Sequence, residues 1–499
     1  MYLSYKSTRG DERSVSSAEA VVRGIAPDGG LYVSSVIPLL DRPFKKLAEM
    51  DYRELARYIM GRFFIDFPAD VLAECIDNAY DDKYDDARIV PVIEKGGAHF
   101  MELFHGPTLA FKDMALTVLP HLLKAAAGIM NIDKEIVILT ATSGDTGKAA
   151  LEGFSDIEGT RIIVFYPKDG VSKIQERQMI TQEGKNTHVI AIEGNFDDAQ
   201  KGVKAIFGDR EYGEKLARSG YMFSSANSIN IGRLIPQIVY YVFVYLELMR
   251  RSRVSAGDKI NIVVPTGNFG NILAAFYSKK MGLPVNRLIC ASNENNVLYD
   301  FINTGIYNRK RKFIVTGSPA MDILVSSNLE RLLFDLAGED SSLTNRLTEE
   351  LSKAGEFEIT GRMKQGLFQF YGNYATDEET FDTIRTVFKE NNYLIDPHTA
   401  VGYNVFRKYL EGMQDRRHTV IASTASPFKF PGSVAGAIDS KYKNVDELVL
   451  LEELSKISGL KIPAALAGIG KKEVIHKKVC ETGGMKDAVS EILGIRESS

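Results

Sequence analysis

The chain has 499 residues, of which 44% are hydrophobic and 25% are charged, and its formal net charge is -4. This ordinary composition is long enough for roughly two to four domains, and the weak negative charge does not indicate a nucleic acid or an anionic membrane as partner. Neither the cysteines (Cys75, Cys290 and Cys480) nor the seven histidines show metal-ligand spacing, so we expect reduced thiols and no metal. The N-terminus lacks an apolar signal segment, and we see no run of about eighteen apolar residues, so we expect a cytoplasmic protein.

Predicted strands and helices alternate along most of the chain. A short strand at residues 31–33 follows the turn at 26–30, and the part between this strand and about residue 90 is helical and acidic. A helix is predicted at 114–123. Further strands are predicted at 135–141, 161–166, 189–192, 259–265, 287–291 and 419–422, and helices from 148 and at 172–181, 197–207, 234–248 and 272–280. Such alternation is typical of an α/β protein with parallel sheets. Residues 335–391 and 443–499 have a helical pattern.

One lysine, Lys112, lies among apolar and small residues in the stretch 104–113, directly before a predicted helix. Most lysines are solvated surface charges. An ammonium group in these surroundings is expected to be partly buried, and burial lowers a lysine pKa and frees the amine to attack a carbonyl. Lys112 is therefore a candidate nucleophile.

Two glycine-rich turns follow predicted strands and open predicted helices. One is Thr-Gly-Asn-Phe-Gly-Asn at 266–271, and the other is Thr-Ser-Gly-Asp-Thr-Gly at 142–147. Free N–H groups and the helix dipole favour an anion at such a turn. The first turn suits a phosphate, although it lacks both the Gly-Lys-Ser/Thr of a P-loop and the third glycine of a dinucleotide fingerprint. The alternative for each turn is a tight connection without a ligand.

These motifs, with Asn-Ser-Ile-Asn-Ile-Gly-Arg at 227–233 and Ser-Thr-Ala-Ser-Pro-Phe-Lys-Phe at 423–430, resemble the threonine synthase family of pyridoxal-phosphate enzymes, in its long bacterial and fungal form. The matching segments run from Ser7 to about Gly432. The resemblance implies an α/β fold of the tryptophan-synthase-β-like type (fold type II), with two α/β domains, an extra N-terminal segment and a helical C-terminus. We expect the N-terminal segment at 1–90, the catalytic region at 91–450 with a smaller mobile domain at about 130–225, and the C-terminal helical region at 451–499.

The resemblance also implies a role for each motif. Lys112 would be the catalytic residue and would hold pyridoxal 5'-phosphate as a Schiff base, while Thr424 would face the pyridine nitrogen. The cofactor phosphate would lie in the loop formed by Gly267, Asn268, Phe269, Gly270 and Asn271. The substrate would contact Thr142, Ser143, Asp145, Thr146, Asn230 and Arg233. A neutral hydroxyl at the pyridine nitrogen favours elimination over transamination. The alternative for Thr424 is a solvent-exposed side chain.

Counting anions assigns Arg233 to the substrate phosphate. The 267–271 loop can neutralise only the cofactor phosphate, and the 142–147 loop suits the substrate carboxylate. The planar fork of arginine suits the remaining phosphate ester, and Asn230 would assist it. The alternatives are a helix-capping role for Asn230 and a structural ion pair for Arg233.

Three positions depart from related patterns. Asp145 replaces the asparagine common in the broader fold, which argues against a generic cysteine synthase or dehydratase. Ser426 and Phe428 replace the family's histidine and alanine, so the geometry of their loop is open. Residues 318–323 and 396–402 match the family without an assigned role, and we expect His398 to be a buried histidine satisfied by hydrogen bonds.

The implied reaction is that of a lyase that converts O-phospho-L-homoserine and water to L-threonine and phosphate, the last step of threonine biosynthesis. We expect this small-molecule substrate, no nucleic-acid or membrane partner, and a monomer, with a homodimer as the alternative. Two other functions stay open: a threonine or serine dehydratase of the same fold, and a catalytically silent threonine-synthase-like binding protein.

Overall fold

The computed structural model describes residues 3–11, 13–142 and 144–495. The strands in these ranges are β1 (Tyr5–Ser7), β2 (Tyr32–Ser34), β3 (Val92–Lys95), β4 (Ala98–Glu102), β5 (Glu135–Ala141), β6 (Thr160–Pro167), β7 (Thr187–Glu193), β8 (Tyr221–Ser224), β9 (Ile260–Pro265), β10 (Val285–Ser292), β11 (Ile306–Asn308), β12 (Glu356–Glu358), β13 (Phe370–Tyr374), β14 (Thr419–Ser423) and β15 (Lys478–Glu481). The helices are α1 (Ser17–Arg23), α2 (Phe44–Leu47), α3 (Tyr52–Met60), α4 (Ala69–Ala79), α5 (Asp113–Leu116), α6 (Leu119–Ile129), α7 (Asp145–Phe154), α8 (Lys173–Ile180), α9 (Phe196–Gly208), α10 (Arg210–Arg218), α11 (Ile231–Arg250), α12 (Gly270–Lys280), α13 (Val297–Thr304), α14 (Leu329–Leu336), α15 (Ser341–Lys353), α16 (Gly361–Gly366), α17 (Asp377–Asn391), α18 (Pro397–Met413), α19 (Pro431–Ile438), α20 (Glu447–Ser458) and α21 (Met485–Leu493).

The larger sheet has the order β13-β10-β9-β14-β4-β3. Its strands are parallel except for β3, which forms an antiparallel pair with β4. The central strands β9 and β14 are buried along their whole length, as expected for a parallel sheet with helices on both faces. This sheet forms the scaffold of the larger α/β unit.

The smaller sheet is fully parallel, in the order β15-β7-β6-β5-β8. Strands β5 to β8 lie within the predicted smaller domain, but β15 comes from the C-terminal region, where the sequence predicts helices only. The reason for this difference is that β15 is short and half exposed, so its sequence carries neither an apolar run nor a clear alternation. The C-terminal region therefore completes the edge of the smaller sheet.

The topology brings the motif loops together. In a parallel sheet all carboxyl ends of the strands lie at one edge, and ligands bind in the crevice outside that edge. Strands β9, β14 and β4 are neighbours, and they are followed by the 266–270 turn, by Thr424 and by the segment that leads to Lys112. The turn that carries Asp145 follows β5 of the smaller sheet. The predicted site thus lies between the two sheets.

The helix α11 runs through the main core. Apolar residues surround it on all sides, which is the pattern of a fully buried helix. By length and composition it could cross a membrane, but 94% of its most apolar window is buried inside the protein. Here it packs against α3 and α12.

Two other predictions needed adjustment. The helix expected at 114–123 is interrupted, and α5 and α6 replace it; α6 begins at Leu119, immediately before Pro120, a favoured position for proline in a first turn. The helical segment expected at 335–391 also contains β12 and β13, whose pairing partners β11 and β10 are distant in sequence. The other predicted strands and helices are confirmed, with ends that differ by a few residues.

Candidate active site

Backbone pairing places Lys112 beside Thr424. The Phe111 N–H donates to the Thr424 carbonyl oxygen at 2.8 Å, and the Ser426 N–H donates to the Leu109 carbonyl at 3.0 Å. The Lys112 side chain is only 11% exposed. Thr424 is buried as well, so the solvent-exposed alternative for this residue does not hold.

The Lys112 amine lies next to a carboxylate and a second lysine. Its Nζ donates to Oδ2 of Asp145 at 3.1 Å, and Nζ of Lys429 lies 3.1 Å from the other oxygen, Oδ1. Burial lowers the pKa of Lys112; Asp145 opposes this effect, Lys429 reinforces it, and the pKa remains below the usual lysine value. The environment thus favours the unprotonated amine, as a nucleophile requires.

Asp145 is held ionised in spite of its burial. Burial alone would raise the pKa of this carboxyl, but the charges of Lys112 and Lys429 outweigh it and keep the pKa well below the usual range. Nε2 of Gln175, in α8, also donates to Oδ1 at 2.9 Å. Sequence reasoning missed Lys429 and Gln175, although Lys429 has the same signal as Lys112, a lysine within an apolar stretch.

The backbone of the 266–271 turn lies very close to a neighbouring segment of the chain. A Cβ on Gly267 would meet the carbonyl oxygen of Ala320 at 2.7 Å. Phe269 adopts the left-handed backbone conformation directly before α12 begins, and its ring is buried. The Asn268 carbonyl accepts hydrogen bonds from both the backbone and the side chain of Asn328, each at 3.1 Å. The turn is therefore braced from outside, and its own amide groups remain near the sheet edge.

Two buried donors near this turn lack acceptors among the residues that the structure describes. Asn271 accepts at Oδ1 from the hydroxyls of Tyr240 and Tyr241 at 2.6 Å, but its Nδ2 has no partner. Arg233 donates from Nη1 to the Ala226 carbonyl at 3.0 Å, and its Nε has no partner. Such unsatisfied buried donors are costly unless a ligand accepts from them.

Arg233 has no carboxylate within ion-pair distance in the described parts of the chain, so the structural ion pair considered for it is not found there. Burial lowers its pKa to about 10, which reports how unfavourable an isolated cation is at this place. Arg233 is also close enough for its charge to lower the pKa of Lys112.

Asn230 has a different environment. It is fully buried and is the N-cap of α11: Oδ1 accepts from the Gly232 N–H at 2.8 Å. Its Nδ2 donates to the carbonyls of Val21 and Ser225. Because these bonds use both amide hydrogens, the geometry favours the capping alternative, and we assign no ligand contact to Asn230.

The 142–147 turn is organised by Thr142. Its Oγ1 accepts from the N–H groups of Gly144 at 3.0 Å and Gly147 at 2.8 Å. Thr146 is half-buried in the first turn of α7. Ser143 lies outside the described residues. Thr142 therefore shapes the turn. Asp145 and Thr146 are the first two residues of α7.

His398 connects the segment 318–323 to the same site. Its Nδ1 pairs with Oδ1 of Asp396 at 2.7 Å, and its Nε2 accepts from the Ala320 N–H at 3.1 Å. Both ring nitrogens are therefore satisfied, as expected from the sequence. Through Ala320, which lies against Gly267, His398 supports the 266–271 turn.

The departures at Ser426 and Phe428 leave the loop intact. Ser426 keeps the backbone bond to Leu109, and its hydroxyl accepts from the Phe428 N–H at 3.4 Å, which starts a short helical turn at Pro427–Lys429. Phe428 is buried in the core cluster that also contains Phe430 and Leu109.

A stability prediction arises at His105, which precedes Lys112 in the chain. Its Nδ1 lies 2.5 Å from Asp85 and its Nε2 lies 2.9 Å from Glu102. Burial lowers its pKa, but the two carboxylates outweigh burial and raise the pKa of His105 to about 9. Because the folded value exceeds the unfolded 6.5, the pairs stabilise the fold below pH 6.5, and this stabilisation is lost as the pH rises through 9.

We therefore expect the free energy of unfolding to fall between pH 6.5 and 9.5 by about 1–3 kcal/mol more in the parent than in His105→Gln. Denaturant titrations at several pH values measure this difference. Equal pH slopes for both proteins would show that the pairs contribute nothing.

A second prediction concerns Gly267→Ala. The new methyl group would overlap the Ala320 carbonyl, and His398 holds this residue in place by accepting from its N–H, so the turn must shift. We expect a loss of about 1–3 kcal/mol in stability or in cofactor affinity. Gly128→Ala is a matched control, because a Cβ at Gly128 meets nothing within 4 Å. Thermal unfolding with and without pyridoxal phosphate distinguishes the two variants. Equal unfolding temperatures for both would contradict the close contact between Gly267 and the Ala320 carbonyl.

Comparison with known families and structures agrees with this geometry. The family model described as Threonine synthase N terminus matches residues 4–80, Pyridoxal-phosphate dependent enzyme matches 99–424, and Threonine synthase, C-terminal matches 399–472. The second match assigns the fold to the α/β class of the pyridoxal-phosphate-dependent enzymes, and Lys112, Asp145, the 266–271 turn and Thr424 all lie within it. The chain belongs to the threonine synthase family, so the predicted family and fold class are confirmed.

Individual relatives show the extent of the similarity. The threonine synthase of Saccharomyces cerevisiae is 36% identical over 490 residues, which cover 92% of this chain and 93% of the yeast protein. Human threonine synthase-like 1 is 40% identical over 453 residues, and the chain spans only 60% of its length. A crystal structure of PLP-bound threonine synthase from Brucella melitensis superposes with a TM-score of 0.87 at 33% identity and covers 100% of both chains.

Proposed function

We propose that this protein is a threonine synthase, which converts O-phospho-L-homoserine and water to L-threonine and phosphate with pyridoxal phosphate bound to Lys112. Family membership supports the proposal, and so does the similarity to the yeast and Brucella enzymes. We place the reaction in the cytoplasm, as expected from the sequence.

The charge of the site carries the proposal. Two buried cations, Lys429 and Arg233, are close enough to Lys112 for their charges to lower its pKa, and Asp145 is the carboxylate that pairs with the two lysines. An excess of buried positive charge is unfavourable unless anions bind. The proposed reaction brings two phosphate groups and one carboxylate to this place, which fits such a site.

The residues fit pyridoxal phosphate. The Nδ2 of Asn271, which has no partner among the described residues, and the amides at the start of α12 are donors for a phosphate, and the missing side chain at Gly267 lets the turn lie against the Ala320 carbonyl. We assign the phosphate to residues 267–271, the aldehyde to Lys112 and the ring nitrogen to Thr424. When bound, the cofactor supplies an electron sink that stabilises negative charge on the substrate carbon next to the amino group.

Lys112 is positioned to move protons. Burial lowers the pKa of Lys112, so its amine releases a proton more readily than that of an exposed lysine, and the long lysine side chain is flexible. We assign to its amine the removal of the Cα proton and then of a Cβ proton of the substrate, and the return of one proton to Cγ after phosphate departs. Water then adds its hydroxyl at Cβ, the second proton returns to Cα, and the proton of the water leaves with the phosphate. Burial excludes bulk water from these transfers.

Arg233 is assigned to the leaving phosphate. A guanidinium group without a carboxylate partner among the described residues can bind this dianion with its planar fork and keep its charge throughout. A dehydratase substrate carries no phosphate and would leave Arg233 without a partner.

Product analysis tests the proposal. With O-phospho-L-homoserine we expect threonine and inorganic phosphate in equal amounts, and with threonine we expect no significant release of ammonia and a keto acid. Ammonia and keto acid as the main products would identify a dehydratase. Pyridoxal phosphate uptake without turnover of either substrate would identify a binding protein.

A further inference from the structure

Lys429 is a buried lysine to which no role is assigned above. Its side chain is fully buried, its Nζ donates to the Thr108 carbonyl at 2.7 Å, and the same Nζ lies 3.1 Å from Oδ1 of Asp145. The short turn Pro427–Lys429 and the backbone hydrogen bond from Ser426 to Leu109 fix the position of the Lys429 backbone. A buried ammonium with such defined contacts has a specific electrostatic effect on its neighbours.

The Asp145 carboxylate is shared between two lysines. Lys112 binds Oδ2, whereas Lys429 and Gln175 bind Oδ1. A carboxylate beside a nucleophilic amine is a disadvantage when it acts alone, because it favours the protonated amine. Asp145 has this effect on Lys112, while Lys429 and Arg233 act in the opposite direction. The titratable groups that face Asp145 are the two lysines and, farther away, His398.

We propose that Lys429 is a positioning residue that neutralises Asp145, so that Asp145 can orient the Lys112 amine without keeping it protonated. This inference rests on the proposed binding of pyridoxal phosphate to Lys112. The unprotonated amine adds to the aldehyde carbon, and water leaves as the carbon–nitrogen double bond forms. Lys429 would act on this step through charge alone and would not touch the reacting atoms.

The two members of the pair should shift the reaction in opposite directions. In Lys429→Gln, Asp145 acts on Lys112 without compensation, so covalent uptake of pyridoxal phosphate should require a higher pH. In Asp145→Asn, the amine loses its carboxylate, so uptake should begin at a lower pH. In the double variant the two effects should largely cancel.

The experiment measures the rate at which cofactor-free protein takes up pyridoxal phosphate covalently, by absorbance and by borohydride capture, across pH 5 to 10. We expect the midpoint to rise by about one pH unit in Lys429→Gln, to fall by about one unit in Asp145→Asn, and to return near the parent value in the double variant. Lys441→Met, at an exposed lysine, should leave it unchanged.

Two results would overturn the inference. In one, Lys429→Gln takes up the cofactor more slowly at every pH with an unshifted midpoint, which indicates a purely structural role. In the other, the double variant has the same midpoint as Asp145→Asn; this comparison remains valid if Lys429→Gln alone fails to fold, because the double variant removes the Asp145 carboxylate together with the lysine that pairs with it. Absence of covalent uptake by the parent protein would instead contradict the proposed function.

Discussion

Lys112→Ala is expected to reduce the turnover of O-phospho-L-homoserine by about 10³-fold or more, because the variant loses both the covalent anchor and the group that moves protons. Asp145 and Lys429 would remain paired with each other, so the fold should be retained. Initial-rate measurements with saturating pyridoxal phosphate check this effect. Lys124→Ala is the matched control, because Lys124 is a surface lysine in the next helix, and it should keep full activity.

Turnover of Lys112→Ala at a normal rate would refute the assignment of Lys112. If Lys112→Ala loses its fold as well as its activity, the role of Lys112 is decided by borohydride reduction of the parent protein. Circular dichroism of both variants is therefore measured together with the rates.

Arg233→Ala is expected to lower kcat/KM for the phosphorylated substrate by about 10- to 100-fold, which corresponds to a charge-assisted bond of about 1.5–3 kcal/mol to a buried anion. The content of pyridoxal phosphate should stay normal, because residues 267–271 are assigned to that phosphate. Steady-state kinetics and cofactor absorbance measure the two properties separately. Loss of the cofactor, or unchanged kinetics, would contradict the assignment.

Arg331→Ala is an informative comparison, since Arg331 is also fully buried. Unlike Arg233, it donates to the carbonyls of Tyr32 and Ile229 and to Asn328, so its hydrogen bonds join three segments of the chain. Its removal should lower the thermal stability, because it leaves buried acceptors without donors. The removal of Arg233 takes away a cation that has no carboxylate partner among the described residues, and it should cost less stability.

Local patterns in the sequence predict much of this architecture. Each strand of the smaller sheet from 135 to 192 has an apolar run, and both glycine turns stand at strand-to-helix junctions, so periodicity and turn chemistry suffice to place them. Lys112 is recognisable because its neighbours are apolar. These features depend on residues that are close together in the chain.

The remaining features depend on contacts between distant segments. The pairing of Lys429 with Asp145 joins residues almost three hundred positions apart, and no local pattern indicates it. Strand β15 becomes a strand only because β7 offers a free edge. An asparagine at the start of a helix is equally suited to cap the helix and to bind a ligand. For Asn230, only its hydrogen-bond partners in the structure separate these two roles.

The central claim is that one lysine among several buried ones holds the cofactor. Borohydride reduction of the protein loaded with pyridoxal phosphate, followed by proteolysis and mass spectrometry of the peptides, tests it most directly. Lys148 and Lys429 are internal controls, since both are buried lysines: Lys429 shares Asp145 with Lys112, and Lys148 lies within charge range of Lys429. We expect the pyridoxyl group on Lys112 alone. Its appearance on Lys148 or Lys429, or on no lysine at all, would contradict the account.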